Sequence, residues 1–229
     1  MLMAEYCVVN ATVLMMPTSS RERLLNILAR QSFRLGEFKL SSGGSSDYYV
    51  DCRTTTLNAE GARLTGRVFL DLIQNKKWNP RAIGGLTMGA DPIVVAVAQL
   101  TAQQTQALDL ARLKPADVDE LLIHGFLVRK QEKSHGTAQR IEGFREKGAR
   151  VVIVDDVCTT GSSTIQAIEA AREFGFKIAG VACLVEREEA GGRASVEKAA
   201  GDVEFVSLFK SSEVRAAHLA LTSNSPGRH

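Results

Sequence analysis

Val151-Val-Ile-Val-Asp-Asp-Val-Cys-Thr-Thr-Gly-Ser-Ser-Thr164 decides how this chain is read. Four consecutive β-branched apolar residues predict a short strand buried on both faces, as in a parallel sheet covered by helices. A polar turn follows, then a helix carrying Ile165, Ala167, Ile168, Ala171 and Phe174, with Gly175 as its stop and a further strand over 178–185. That is a βαβ unit. Five hydroxyls (Thr159, Thr160, Ser162, Ser163 and Thr164) surround Gly161, whose missing Cβ lets the backbone curl, and the turn ends at a helix N-terminus with free N–H groups. The turn therefore suits a phosphate monoester. Asp155 and Asp156, expected at the strand end, can accept hydrogen bonds from vicinal sugar hydroxyls or approach a divalent cation. Taken singly, each of these residues is what an ordinary capped turn carries. Taken together, two adjacent carboxylates above a buried strand call for a cation or hydroxyl donors. No lysine follows Gly161, which disfavours P-loop nucleotide hydrolysis.

Outward from this stretch the pattern alternates. Ser19 and Glu22 have capping-box spacing ahead of the stripe Leu24, Leu25, Ile27 and Leu28. Two extended stretches, 38–40 and 48–50, flank a Ser/Gly turn and predict a hairpin. A helix is expected over 58–73, strands over 82–84 and 126–128, and between them a helix opened by Asp91-Pro92 and running through Leu100. The fold class is α/β: a mostly parallel central sheet flanked by helices, with ligands bound beyond the carboxyl ends of its strands. Residues 1–17 read as an N-terminal extension, and 18–229 as a single domain with a surface excursion at about 101–122.

Composition narrows the function. The chain has 229 residues, and its 28 basic and 26 acidic residues are too evenly balanced for the broad positive field that nonspecific nucleic-acid or membrane-surface binding uses. The four cysteines, Cys7, Cys52, Cys158 and Cys183, form no C-x-x-C pair, which fits free thiols in a reducing cytoplasm. No apolar run reaches the ~20 residues of a membrane helix.

The Val151–Thr164 string resembles the phosphoribosyl diphosphate (PRPP) signature of the type I phosphoribosyltransferases. That resemblance implies their fold and a PRPP site built from Asp155, Asp156, Val157, Cys158, Thr159, Thr160, Gly161, Ser162 and Ser163. A second stretch, Phe126-Leu-Val-Arg-Lys-Gln-Glu-Lys-Ser-His-Gly-Thr137, is similar to the mobile catalytic loop of the orotate phosphoribosyltransferases, with Arg129, Lys130, Lys133 and His135 matching one for one. A cationic cluster of this kind can stabilise charge developing on a departing diphosphate, whereas without the motif the run would read as solvated surface.

A third, Phe38-Lys-Leu-Ser-Ser-Gly-Gly-Ser-Ser-Asp-Tyr-Tyr-Val-Asp-Cys-Arg53, resembles the same family's N-terminal hood, here about 18–57. It would bring Tyr48 and Tyr49 near the base. Adjacent strand residues face opposite ways, so at most one of them should stack on it. Arg187 matches the family's partner for the orotate carboxylate, with an ion pair to Glu186 or Glu188 as the bland alternative, and Thr159 adds a further contact to the base.

The resemblance, from about Leu35 to Gly192, includes Gly84-Gly-Leu-Thr-Met-Gly-Ala-Asp-Pro92 as a variant diphosphate loop. Two lysines common in relatives, at the hood turn (41–46) and around Thr87-Met88, are absent. It implies PRPP and orotate as substrates, diphosphate and orotidine 5′-monophosphate as products, and Mg2+ carried mainly by diphosphate, with Asp155 and Asp156 reaching it through water. A homodimer that shares the catalytic loop is also implied. The alternatives are another PRPP-dependent base phosphoribosyltransferase and a PRPP-binding regulator; near-neutral charge and the lack of a helix-turn-helix extension weigh against the regulator.

Overall fold

A computed structural model of the chain describes residues 18–39, 45–106, 115–130 and 140–223. The expected N-terminal extension lies outside the described residues, as do part of the 101–122 excursion, Lys133 and His135.

Helix α1 (Ser20–Ile27) opens with the expected capping box: Ser19 accepts from the Glu22 backbone N–H, and the Glu22 carboxylate returns to the Ser19 N–H at 2.9 Å. A π-helical turn at Leu28–Ser32 leads into the antiparallel pair β1 (Phe33–Lys39) and β2 (Ser45–Val50), which form the hood. The strands are longer than the pattern 38–40 and 48–50 suggests, because Phe33 pairs with Val50 and Lys39 with Ser45. A short α2 (Arg53–Thr56) precedes α3 (Ala59–Asn75), which Asn58 caps through Gly61 N–H at 3.0 Å.

The central sheet contains β3 (Ala82–Leu86), β4 (His124–Val128), β5 (Ile141–Gly143), β6 (Arg150–Cys158), β7 (Lys177–Glu186) and β8 (Phe205–Lys210). Their spatial order is β5-β4-β3-β6-β7-β8, parallel throughout except for β5 against β4. Helices α4 (Asp91–Gln106), α5 (Pro115–Glu120), α6 (Ser162–Phe174), α7 (Gly192–Ala200) and α8 (Ser211–Ser223) are the remaining α-helices among the described residues. The helix expected to end at Leu100 therefore continues six residues into the excursion. Arg81 and His124 hold Asp119, at the end of α5, at 2.5 and 3.2 Å.

Strand β6 shows why a continuous apolar run is required. Val152 and Val154 face the layer containing Leu64, Phe69, Ile93 and Val97, while Val151 and Ile153 face the layer containing Ala167, Ile168 and Val196. All four valine and isoleucine side chains are fully buried. The chain moves from β3 to β4 on one side and returns to place β6 on the other. The switch point thus falls between β3 and β6, where a doubly wound sheet opens its ligand crevice.

Candidate active site

Strand β6 does not stop before the acidic pair. The ladder with β7 continues through Asp155 opposite Cys183, Val157 opposite Val185 and Cys158 opposite Glu186, so both carboxylates belong to the strand. This corrects the expectation of a polar turn after Val154, and it makes the carboxylates rigid. Asp155 is only 4% exposed. Its Oδ2 accepts from Thr164 Oγ1 at 2.9 Å and its Oδ1 from the Asp156 backbone N–H at 3.0 Å. Burial, followed by the neighbouring Asp156 charge, pushes its pKa up to about 7. Burial also raises Asp156, against hydrogen bonding from the Val157 N–H and the charge of Arg53. Buried Asp155 and half-buried Asp156 are held side by side without an ion pair to either among the described residues.

Gly161, at φ 78°, starts α6 without a side-chain cap, leaving the first N–H groups of the helix to face the bend. A Cβ there would come within 2.5 Å of Val196 Cγ2. Opposite, the β3–α4 loop closes on the acids: a Cβ at Gly89 would sit 2.4 Å from Asp156 Oδ1, so any side chain there would push that carboxylate aside. These loops and the hood enclose an open cavity of about 480 Å³.

Of the residues singled out in the sequence, Asp155, Asp156, Val157, Thr159, Ser163, Lys130, Tyr49 and Arg187 line this cavity. Thr160, Gly161 and Ser162 form the bend behind its wall. Cys158 turns away into the core with Cys183 and Val196. Arg129 leans across the β4–β5 pair to Glu142 at 3.3 Å. The two tyrosines part as alternation requires. Tyr49 is exposed on the cavity wall, whereas Tyr48 is buried, stacked on Phe33 at 5.1 Å.

Arg187, 8% exposed, pairs with neither Glu186 nor Glu188 but with Glu189 at 3.0 Å, because Glu186 is taken by Arg193 and Glu188 by Lys210. The site also holds cations that sequence reasoning passed over: Lys39 and Arg53 border the cavity from the two ends of the hood segment. They bring positive charge to the cavity. Arg53 is itself held by Asp51 at 2.9 and 3.0 Å. Their position at the borders of a segment already marked by its motif was the available signal.

An acidic strand end, a hydroxyl-rich bend on a helix N-terminus and a crevice at the sheet's switch point define a phosphoribosyltransferase of type I architecture. The family model described as phosphoribosyl transferase domain matches residues 54–212. An orotate phosphoribosyltransferase of Aquifex aeolicus is 41% identical over 197 residues, covering 85% of this chain and 97% of that protein. The enzyme of the same name from Thermosynechococcus vestitus is 40% identical over 197 residues, covering 86% and 93%. Among solved structures, orotate phosphoribosyltransferase from Mycobacterium tuberculosis H37Rv in complex with PRPP superposes with a TM-score of 0.63 at 30% identity, covering 86% of this chain and 99% of that one. The chain belongs to the orotate phosphoribosyltransferase family.

Proposed function

We propose that the chain catalyses reversible transfer of the phosphoribosyl group from PRPP to N1 of orotate, releasing diphosphate and forming orotidine 5′-monophosphate, the precursor of UMP. The observation that carries this reading is the adjacent carboxylates of buried Asp155 and half-buried Asp156, which have no ion pair among the described residues, beside a bend of hydroxyls and helix N–H groups. Asp155 and Asp156 accept hydrogen bonds from the ribose hydroxyls, while Thr159, Ser163 and the α6 N-terminus anchor the 5′-phosphate. Arg187 takes the orotate carboxylate, with Thr159 and Tyr49 bordering the base.

Diphosphate departs from C1′ as the bond to orotate N1 forms. Charge builds on the leaving oxygens, and Lys130, Lys133, Arg129 and His135 are the groups that stabilise it. Lys133→Ala should lower kcat by a factor on the order of 100 with a smaller change in KM.

The residues present suit Mg2+ carried by diphosphate. Among the described residues no group of three or more acidic, histidine or cysteine side chains forms a protein-only cage, and the two carboxylates on offer lie beside Gly89 of the diphosphate loop. Asp155 and Asp156 would hold Mg2+ through water, and the ion would supply positive charge against the departing diphosphate.

A homodimer sharing the catalytic loop completes the proposal. It is supported by a run of exposed apolar side chains beside the cavity: Leu57, Met88 and Val95 are 72%, 66% and 63% exposed. They line adjoining hollows with Pro92. Light scattering should give twice the chain mass, and Leu57→Glu with Val95→Glu should halve it. We place the reaction in the cytoplasm, a reading supported by three buried free cysteines; among the described residues no helix is long and apolar enough to cross a membrane.

The deciding experiment offers purified protein Mg2+ and PRPP with orotate, uracil, adenine or hypoxanthine in turn. Orotate alone should be consumed, with a fall in its absorbance; consumption of a purine instead would overturn the assignment.

A further inference from the structure

We propose that Glu189 is a positioning residue that sets the Arg187 guanidinium for the planar carboxylate of the base. The proposal rests on the orotate reading above. The Arg187 side chain is 9% exposed, and Glu189 is the only carboxylate paired with it among the described residues. A buried guanidinium whose N–H donors go unmet is unfavourable, so Arg187 needs acceptors that hold it in place. Nε of Arg187 donates to Glu189 Oε1 at 3.0 Å and to the Tyr48 hydroxyl at 3.2 Å. Nη2 donates to Ser46 Oγ at 3.0 Å and lies 3.0 Å from the same Glu189 oxygen.

Tyr48, whose ring lies 4.6 Å below Arg187 Cζ, donates its hydroxyl to Glu189. Every one of these hydrogen bonds uses Nε or Nη2. Among the described residues neither Nη1 donor has a partner, on a side chain that borders the cavity where a ligand can meet it.

Glu189 itself sits on the 3₁₀ turn Glu188–Ala190 and accepts from Ser211 Oγ at 3.4 Å, in the first turn of α8. It therefore ties the hood strand β2, the loop after β7 and the last helix to one guanidinium. Arginine carries large rotamer entropy, and a fork already immobilised loses less of it when a carboxylate arrives. The anchoring should therefore act on recognition of the base and not on the sugar phosphate.

The test compares steady-state kinetics of wild type, Glu189→Ala and Glu189→Gln with orotate and PRPP varied separately. Glu189→Ala should raise KM for orotate on the order of 10-fold, with kcat within about 3-fold and KM for PRPP unchanged. Glu189→Gln keeps Oε1 as the acceptor and should restore KM for orotate to within about 3-fold of wild type. If Glu189→Ala is insoluble, Tyr48→Phe takes its place: it removes only the hydroxyl bridge and should raise KM for orotate about 3-fold with KM for PRPP unmoved. An unchanged orotate KM, or equal rises for both substrates, would overturn the role of Glu189. A wild-type protein that leaves orotate unconsumed would instead defeat the functional reading.

Discussion

Asp155 and Glu186 are carboxylates near the carboxyl ends of adjacent parallel strands, both 4% exposed, yet their surroundings are opposite. Glu186 is answered inside the protein. Arg193 meets it with two hydrogen bonds of 2.8 and 2.6 Å, also donates to Ser207, and lies 4.9 Å from the Phe205 ring centroid. The Arg193 hydrogen bonds hold Glu186 below the usual carboxylate range despite burial. Asp155 receives a threonine hydroxyl and a backbone N–H, faces a second acid, and is driven up to about 7. The fold can balance a buried carboxylate one strand away and does not do so here. The difference supports the proposal that Asp155 and Asp156 take their partners from a ligand.

Substitution should separate the two corners, most sharply in catalysis. Asp155→Asn combined with Asp156→Asn should lower kcat/KM roughly 10³-fold, about 4 kcal/mol, by weakening the acceptors for the ribose hydroxyls. Its thermal midpoint at pH 7.5 should not fall. A smaller effect of opposite kind is expected at the other corner. Arg193→Ala strands Glu186 and should cost about 2–3 kcal/mol, less than for a fully buried partner because Arg193 is 37% exposed. Calorimetry should register this as a midpoint lowered by roughly 5–10 °C, with kcat within about 3-fold of wild type at 20 °C.

A third effect is a pH dependence. A carboxyl whose pKa is raised on folding contributes stability that is complete below its unfolded value near 3.8 and is lost as pH rises through about 7. Wild-type protein without ligand should therefore lose midpoint relative to Asp155→Asn between pH 4 and pH 7, and the gap should level off above that. The depressed acids, Glu186 among them, act in the opposite direction and at lower pH, where their stabilisation disappears as pH falls. A constant gap between wild type and Asp155→Asn across the range would mean that Asp155 is not strained by burial.

The parts of this arrangement that were legible in the sequence are those set by local chemistry. Val151–Val154 read as a buried strand, Ser19 with Glu22 as a helix start, and Gly161 as the point where the backbone curls into α6. The crevice followed from the βαβ order. What could not be read depends on contacts far apart in the chain. Strand β6 extends to Cys158 because β7 pairs with it that far, and β5 exists because β4 offers an edge. Arg187 selects Glu189 over its immediate neighbours because Lys210 and Arg193, more distant in sequence or one helix turn along, have already claimed them. Strand β8 and helices α7 and α8 carry no motif, so their part in holding the hood, through Arg215 to Asp47 at 2.7 Å, emerged only from the packing.

The central claim is that the carboxylates at 155 and 156 and the bend that follows form a cradle for a sugar phosphate. A crystal soaked with ribose 5-phosphate tests it directly. The account predicts the phosphate seated over the α6 N-terminus within hydrogen-bond reach of Thr159 and Ser163, with the ribose hydroxyls on Asp155 and Asp156. An empty bend, or both carboxylates turned away to lysines of the same subunit, would contradict it.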